Sequence, residues 1–185
     1  MNLSDLRNEL AIKNKNGISF LSSAVVVWTI ITIIFLLPLE MSQKNIFMLF
    51  SSGIMFPLAI ALSKLYKVDW KSKGLPLSDL GLGLNLAQLM YFPILFLVFA
   101  HSPSDMIAVF AIITAAHLYP YGWLYQANAY YVYAPMISVL IMILGFSSSD
   151  QLWVIPLVMA GSLVLLNLTL FTDYKKKLSY RRLSA

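Results

Sequence analysis

Apolar residues in this chain fall in long unbroken runs, neither alternating as in a strand nor confined to one stripe as in a soluble helix. A helix needs roughly 20 apolar residues to cross about 30 Å of hydrocarbon. Runs that reach or approach this length, bounded by charge or turn residues, cover 18–39, 46–62, 82–100, 106–125, 129–146 and 151–172. The fourth extends to Tyr125 only if Pro120 bends the helix instead of ending it, and Gln126, Ala127 and Asn128 then form a short uncharged hinge before the fifth. The pattern predicts an all-α polytopic membrane protein, a bundle of six transmembrane helices over residues 18–172. Residues 1–17 form an N-terminal segment and 173–185 a basic tail.

The placement of charge orients this bundle. Twelve of the 13 Lys and Arg lie in the two terminal segments and in the loop between the second and third runs, and only Lys44 falls on the opposite side. Short connecting segments rich in Lys and Arg stay on the cytoplasmic side, so both termini are expected in the cytoplasm and the membrane is expected to be a plasma or inner membrane. An odd number of spans would put one basic cluster on the wrong side. The opposite face, with Glu40, Asp105 and Asp150, is slightly acidic. In the first segment Asn2 can cap a short helix with Asp5 at its third position, while Leu3, Leu6 and Leu10 share a face, which describes an amphipathic foot at the interface.

Composition agrees and excludes much else. The chain of 185 residues is 59% hydrophobic and 11% charged, against about 25% charged in soluble domains. Its 11 Phe, 10 Tyr and 4 Trp exclude intrinsic disorder. With no Cys, disulfides, thiol redox chemistry and Cys-built zinc sites are excluded together. The net charge of +5 is accounted for by basic residues facing anionic headgroups, so lipids are the expected partners and nucleic acid is not.

Because the fourth span begins on the outer side, the second trio of helices is inverted relative to the first. Pro57 can be laid against Pro135, and Pro93 against Pro156, with a consistent offset but at different depths. Chance spacing accounts for that. Each proline removes a backbone donor and frees a carbonyl that must find another partner in lipid, and Ser51, Ser52 and Gly53 could supply the adjustment ahead of Pro57. Gly81, Gly83, Gly145 and Gly161 are candidate points of close helix approach.

No carboxylate lies inside any run, which removes the usual proton or sodium handle of a coupled carrier and the paired acids of intramembrane aspartyl proteases. His101 and His117 fall at opposite depths, too far apart to share a metal. No metal or cofactor is expected, and an enzyme is the less favoured reading: a lipid-modifying enzyme using His117 as base would have no nucleophile or metal set beside it.

The large polar side chains instead gather at one depth. Asn85 and Gln88 lie near the cytoplasmic start of the third span, His117, Tyr121 and Tyr125 share a stripe of the fourth with Thr114, and Asn167 lies near the inner end of the sixth. Around them run Tyr119, Trp123, Tyr130, Tyr131 and Tyr133. One reading is a cytoplasm-facing polar-aromatic pocket formed by Asn85, Gln88, His117, Tyr121, Tyr125 and Asn167, which binds or translocates a small solute or lipid. The other is a non-catalytic membrane interaction or accessory protein, with an interfacial aromatic belt and polar residues that only tie helices together. Six helices leave little room for a wide path, which makes a homodimer reasonable. In size and topology the chain resembles small uncharacterised multi-pass bacterial membrane proteins, a resemblance that implies no activity and no functional residue.

Overall fold

The computed structural model describes residues 2–72, 74–147 and 151–183, the side chain of Arg182 excepted. Lys73, Asp150 and the Arg182 side chain, on which the charge count drew, lie outside the described residues. Among the described residues six helices are long and apolar enough to cross a membrane: Lys15–Leu36, Met41–Leu65, Leu77–His101, Pro103–Tyr125, Asn128–Ser147 and Val154–Arg181. The chain is a multi-pass helical membrane protein with the six spans that the apolar runs predict.

A short helix, α1 (Leu3–Lys13), precedes the first span. Its N-terminus carries a reciprocal cap, in which the Asp5 backbone N–H donates to the Asn2 side chain and the Asn2 N–H donates to the Asp5 carboxylate. The foot does not stand apart from the bundle. Leu10 and Ala11 are fully buried and Leu6 packs on the core, leaving Leu3 exposed. Arg7 fixes the docked position, with Nε donating to the Trp123 carbonyl at 2.7 Å and the guanidinium 4.5 Å from that indole.

The first span is a continuous helix, α2 (Ile18–Leu36), as are the fifth, α9 (Asn128–Ser147), and the sixth, α10 (Val154–Leu183). The middle three are each broken in two. The second comprises α3 (Met41–Gly53) and α4 (Met55–Leu65), the third α5 (Leu77–Ala87) and α6 (Phe92–His101) joined by a 3-10 turn at Gln88–Tyr91, and the fourth α7 (Met106–Ala116) and α8 (Tyr119–Tyr125). Pro57, Pro93 and Pro120 all fall in the first turn of the second piece, where a missing N–H leaves no intrahelical bond unmade. These prolines restart helices. Only Pro135 lies inside one. Ser51 and Ser52 donate back to the Phe47 and Leu49 carbonyls as α3 ends.

The core forms where α2 packs on α10 and α4, α7 on α9, and α9 on α10. Trp28 of α2 stacks on Phe110 of α7 with ring centroids 5.3 Å apart and is nearly inaccessible. Of the four glycines expected at close approaches, Gly81 and Gly145 fill that role: a Cβ there would lie 3.3 Å from Leu124 and 3.1 Å from Ala108. Gly83 and Gly161 face open space.

Charge segregates by end. The loop after α4 meets the segment before α2, where Lys15 Nζ donates to the Tyr66 carbonyl and Ser72 Oγ to Asn14 Oδ1. At the opposite end, Lys44 Nζ donates to the Phe35 carbonyl and Asn45 to that of Pro103. The basic tail is also part of the bundle's last helix. At 30 residues α10 is long; at 1.5 Å per residue it extends about 45 Å, well beyond the hydrocarbon layer.

Candidate functional site

The end that carries both termini is organised around residues 14–17. Lys15, Asn16 and Gly17 follow one another with positive φ of 47°, 54° and 81°, a left-handed turn that lets the chain leave α1 and enter α2 with no room to spare. A Cβ on Gly17 would lie 3.0 Å from the Tyr125 ring and 3.1 Å from the Tyr130 hydroxyl. Asn16, fully buried, is bonded on every side. Its amide nitrogen donates to the Leu170 carbonyl and to Asp173, its side-chain oxygen accepts from Lys177, and its carbonyl accepts from the Tyr130 hydroxyl at 2.8 Å. Lys177 completes the set, paired with Asp173 at 2.7 Å and donating to the Tyr125 carbonyl. A buried amide and a partly buried ammonium are tolerated here because each finds its partners.

Beside this turn lies a cavity of about 680 Å³. One wall is α2, with Phe20, Leu21 and Ala24; the opposite wall is α5, with Gly81, Leu82 and Asn85. Thr114, His117, Tyr121, Tyr125 and Tyr130 also line it, as does the loop carrying Val68, Trp70 and Leu75. Trp70 is held there by edge contacts with Phe20 and Phe56, at centroid separations of 6.4 and 5.8 Å. The lining is mostly apolar with a few polar groups, the ordinary composition of a small-molecule site.

The break in the fourth span sets His117. Where α7 ends, the Leu118 N–H donates to the Ala115 carbonyl, one residue short of the helical partner, so the Thr114 carbonyl loses its donor. His117 Nδ1 fills that vacancy at 2.6 Å. A carbonyl only accepts, so the proton sits on Nδ1. The ring then meets Tyr121 edge to face at 6.0 Å, and Tyr121 stacks on Tyr125 at 5.9 Å. Two of the three tyrosyl protons are committed: Tyr121 donates to the Gly81 carbonyl and Tyr130 to that of Asn16.

Of the six residues singled out in the sequence, the structure brings Asn85, His117, Tyr121 and Tyr125 together around the cavity. Gln88 stands just behind it, donating to Thr114 Oγ1 at 3.2 Å. Asn167 lies elsewhere, donating to Ser22 Oγ at 2.8 Å, a hydroxyl that Tyr66 also reaches. Sequence reasoning passed over Asn14, Gly17 and the loop with Trp70, because they fall outside the apolar runs. The close succession of Asn14, Asn16 and Gly17 is a turn signal that could have marked the first two. Among the described residues, no three His, Asp or Glu side chains are grouped so that they could hold a metal ion.

A family model matches residues 3–173, from the start of α1 to the Asp173 that holds Asn16. The chain belongs to DUF7010, a family of unknown function. The match takes in the first five spans, the sixth as far as Asp173, and every described residue of the cavity lining. No curated protein and no solved structure matches the chain.

Proposed function

We propose that this DUF7010 protein binds, and in doing so presents or translocates, a small amphipathic molecule in the cavity between the first and third spans. The observation that carries the reading is the cavity itself: about 680 Å³, mostly apolar in lining, with His117, Asn85 and Tyr121 converging at one end. Such a volume lies within the range of drug-sized ligand sites, and packed helices otherwise leave few voids larger than a water molecule. With the basic end in the cytoplasm, as the Lys and Arg distribution favours, the cavity lies toward the inner leaflet. Among the described residues the charged side chains of the lining, Lys71 and Asp79, are both exposed, which suits an uncharged or amphipathic ligand better than a free ion.

Native mass spectrometry of the protein released from membrane in a mild detergent tests this. The expected result is a discrete extra mass on the wild type, lost from Leu82→Trp, which fills the cavity from an exposed position, and weakened in His117→Ala. The bare protein mass in all three overturns the reading and leaves a non-catalytic accessory protein whose polar residues tie helices together.

A further inference from the structure

The polar groups around the cavity are unequally spent, and their balance selects a ligand head. Four donors are used inside the protein. The Tyr121 hydroxyl and one Asn85 amide N–H both go to the Gly81 carbonyl, at 3.3 and 3.1 Å. The Tyr130 proton goes to Asn16 and that of His117 Nδ1 to Thr114. Acceptors are left over. His117 Nε2, bearing the lone pair of the neutral ring, has no hydrogen-bond partner among the described residues, and neither has Asn85 Oδ1. The Asn85 orientation is fixed, since turning the amide over would set its oxygen against the Gly81 carbonyl. Asn85 retains a second amide N–H and the Thr114 hydroxyl, which accepts from Gln88, keeps its own proton, so this end of the cavity offers acceptors and donors side by side.

Charge narrows the choice further. Among the described residues the lining carries one cation, Lys71, and one anion, Asp79, both exposed and so near solvent. A phosphate or carboxylate placed against His117 would bring a charge into an apolar site without a counter-charge and would set its oxygens against the imidazole lone pair. A hydroxyl fits, because it gives one proton and accepts another.

We propose that the cavity takes an uncharged amphipathic molecule headed by a hydroxyl group, of the kind found in monoacylglycerols and long-chain alcohols, with its head at His117 and Asn85. This rests on the binding role proposed above and names the chemical class. The remaining lining, Phe20, Leu21, Leu82 and Leu163 among it, then meets the apolar chain.

The test is a native mass spectrometry titration of the full chain in mild detergent with three oleoyl probes: monooleoylglycerol, lysophosphatidate and methyl oleate. Monooleoylglycerol is expected to bind about tenfold more tightly than either of the others, the equivalent of one well-made hydrogen bond. His117→Phe, which keeps a ring but removes the acceptor, should lower monooleoylglycerol affinity about tenfold and leave methyl oleate unchanged. His117→Gln, which restores an acceptor, should recover most of the loss. Lysophosphatidate binding as tightly as monooleoylglycerol, while still lost in Leu82→Trp, overturns the hydroxyl head but leaves the cavity as a binding site. Equal affinity for methyl oleate and monooleoylglycerol, unmoved by His117→Phe, has the same consequence. Binding of all three that survives Leu82→Trp, or no binding at all, overturns both the head chemistry and the cavity's role.

Discussion

Hydropathy reads the first and third spans alike as membrane-crossing helices, and the protein uses them in opposite ways. Over its most apolar stretch the first, Lys15–Leu36, is 56% buried inside the protein, whereas the third, Leu77–His101, is 6% buried. Small residues make the difference. Ser19, Ser23 and Ala24 let α2 approach its neighbours, with Ser23 donating to the Met55 carbonyl at 2.7 Å and Ser19 accepting from Ser63 at 2.9 Å. The third span offers Gly81 as a close approach and Leu95 as its buried anchor, while Leu86, Met90, Phe96 and Leu97 point outward. Lipid chains are as apolar as leucine, so nothing pulls such a face inward. The cavity lies between these two helices, one tightly held and the other lightly.

If packing separates the two spans, large side chains should reveal it first. Trp28→Ala, at a fully packed site stacked on Phe110, is expected to cost about 3–5 kcal/mol. Phe96→Ala on the third span, more than half exposed, should stay within about 0.5 kcal/mol. Reversible unfolding in mixed micelles reads both, and equal losses would break the contrast.

Backbone substitutions sharpen it at the next scale. Gly17→Ala adds strain at a positive φ and presses a methyl group on Tyr125 and Tyr130, for an expected loss of about 1–3 kcal/mol. Gly83→Ala meets nothing within 4 Å. In a helix that change should raise stability by up to about 1 kcal/mol. Thermal melts of the two variants in one detergent give the signs directly, and a destabilised Gly83→Ala would show that the third span has a partner on that face.

The smallest effects should be alike in the two spans. Ser19→Ala takes away one hydroxyl partner of Ser63, which keeps its bond to the Ala59 carbonyl. Gln88→Ala removes the bond to Thr114. Each should cost about 0.6 kcal/mol, the usual worth of one polar contact between membrane helices. A much larger loss in either would mean that hydrogen bonding, and not packing, sets the spans apart.

Length and hydropathy were enough for the six spans, because the requirement to cover hydrocarbon acts on each segment alone. The cap of α1 was equally legible: Asn2 and Asp5 are three residues apart and complete their bonds locally. Proline positions were legible but their effect was not. The fourth span reaches Tyr125, as it could only if Pro120 did not end it, but Pro120 falls in the first turn of α8, after a break that turns His117 Nδ1 onto Thr114. Of the site, depth alone gathered Asn85, His117, Tyr121 and Tyr125, since residues at one level of a bundle are near one another whatever the helix order. The same argument included Asn167, which the rotation of α10 gives to Ser22.

What the sequence determined on its own is therefore what depends on single segments: the solvent each one meets, where it starts and stops, and at what depth its polar groups lie. Which helix becomes core and which faces lipid was decided by tertiary structure. So were the left-handed turn at Asn16 locked to Asp173 and Lys177 more than 150 residues away, and the order in which donors were spent around His117. These depend on how rows of side chains from different helices meet, and an apolar surface reads the same in sequence whether lipid or protein covers it.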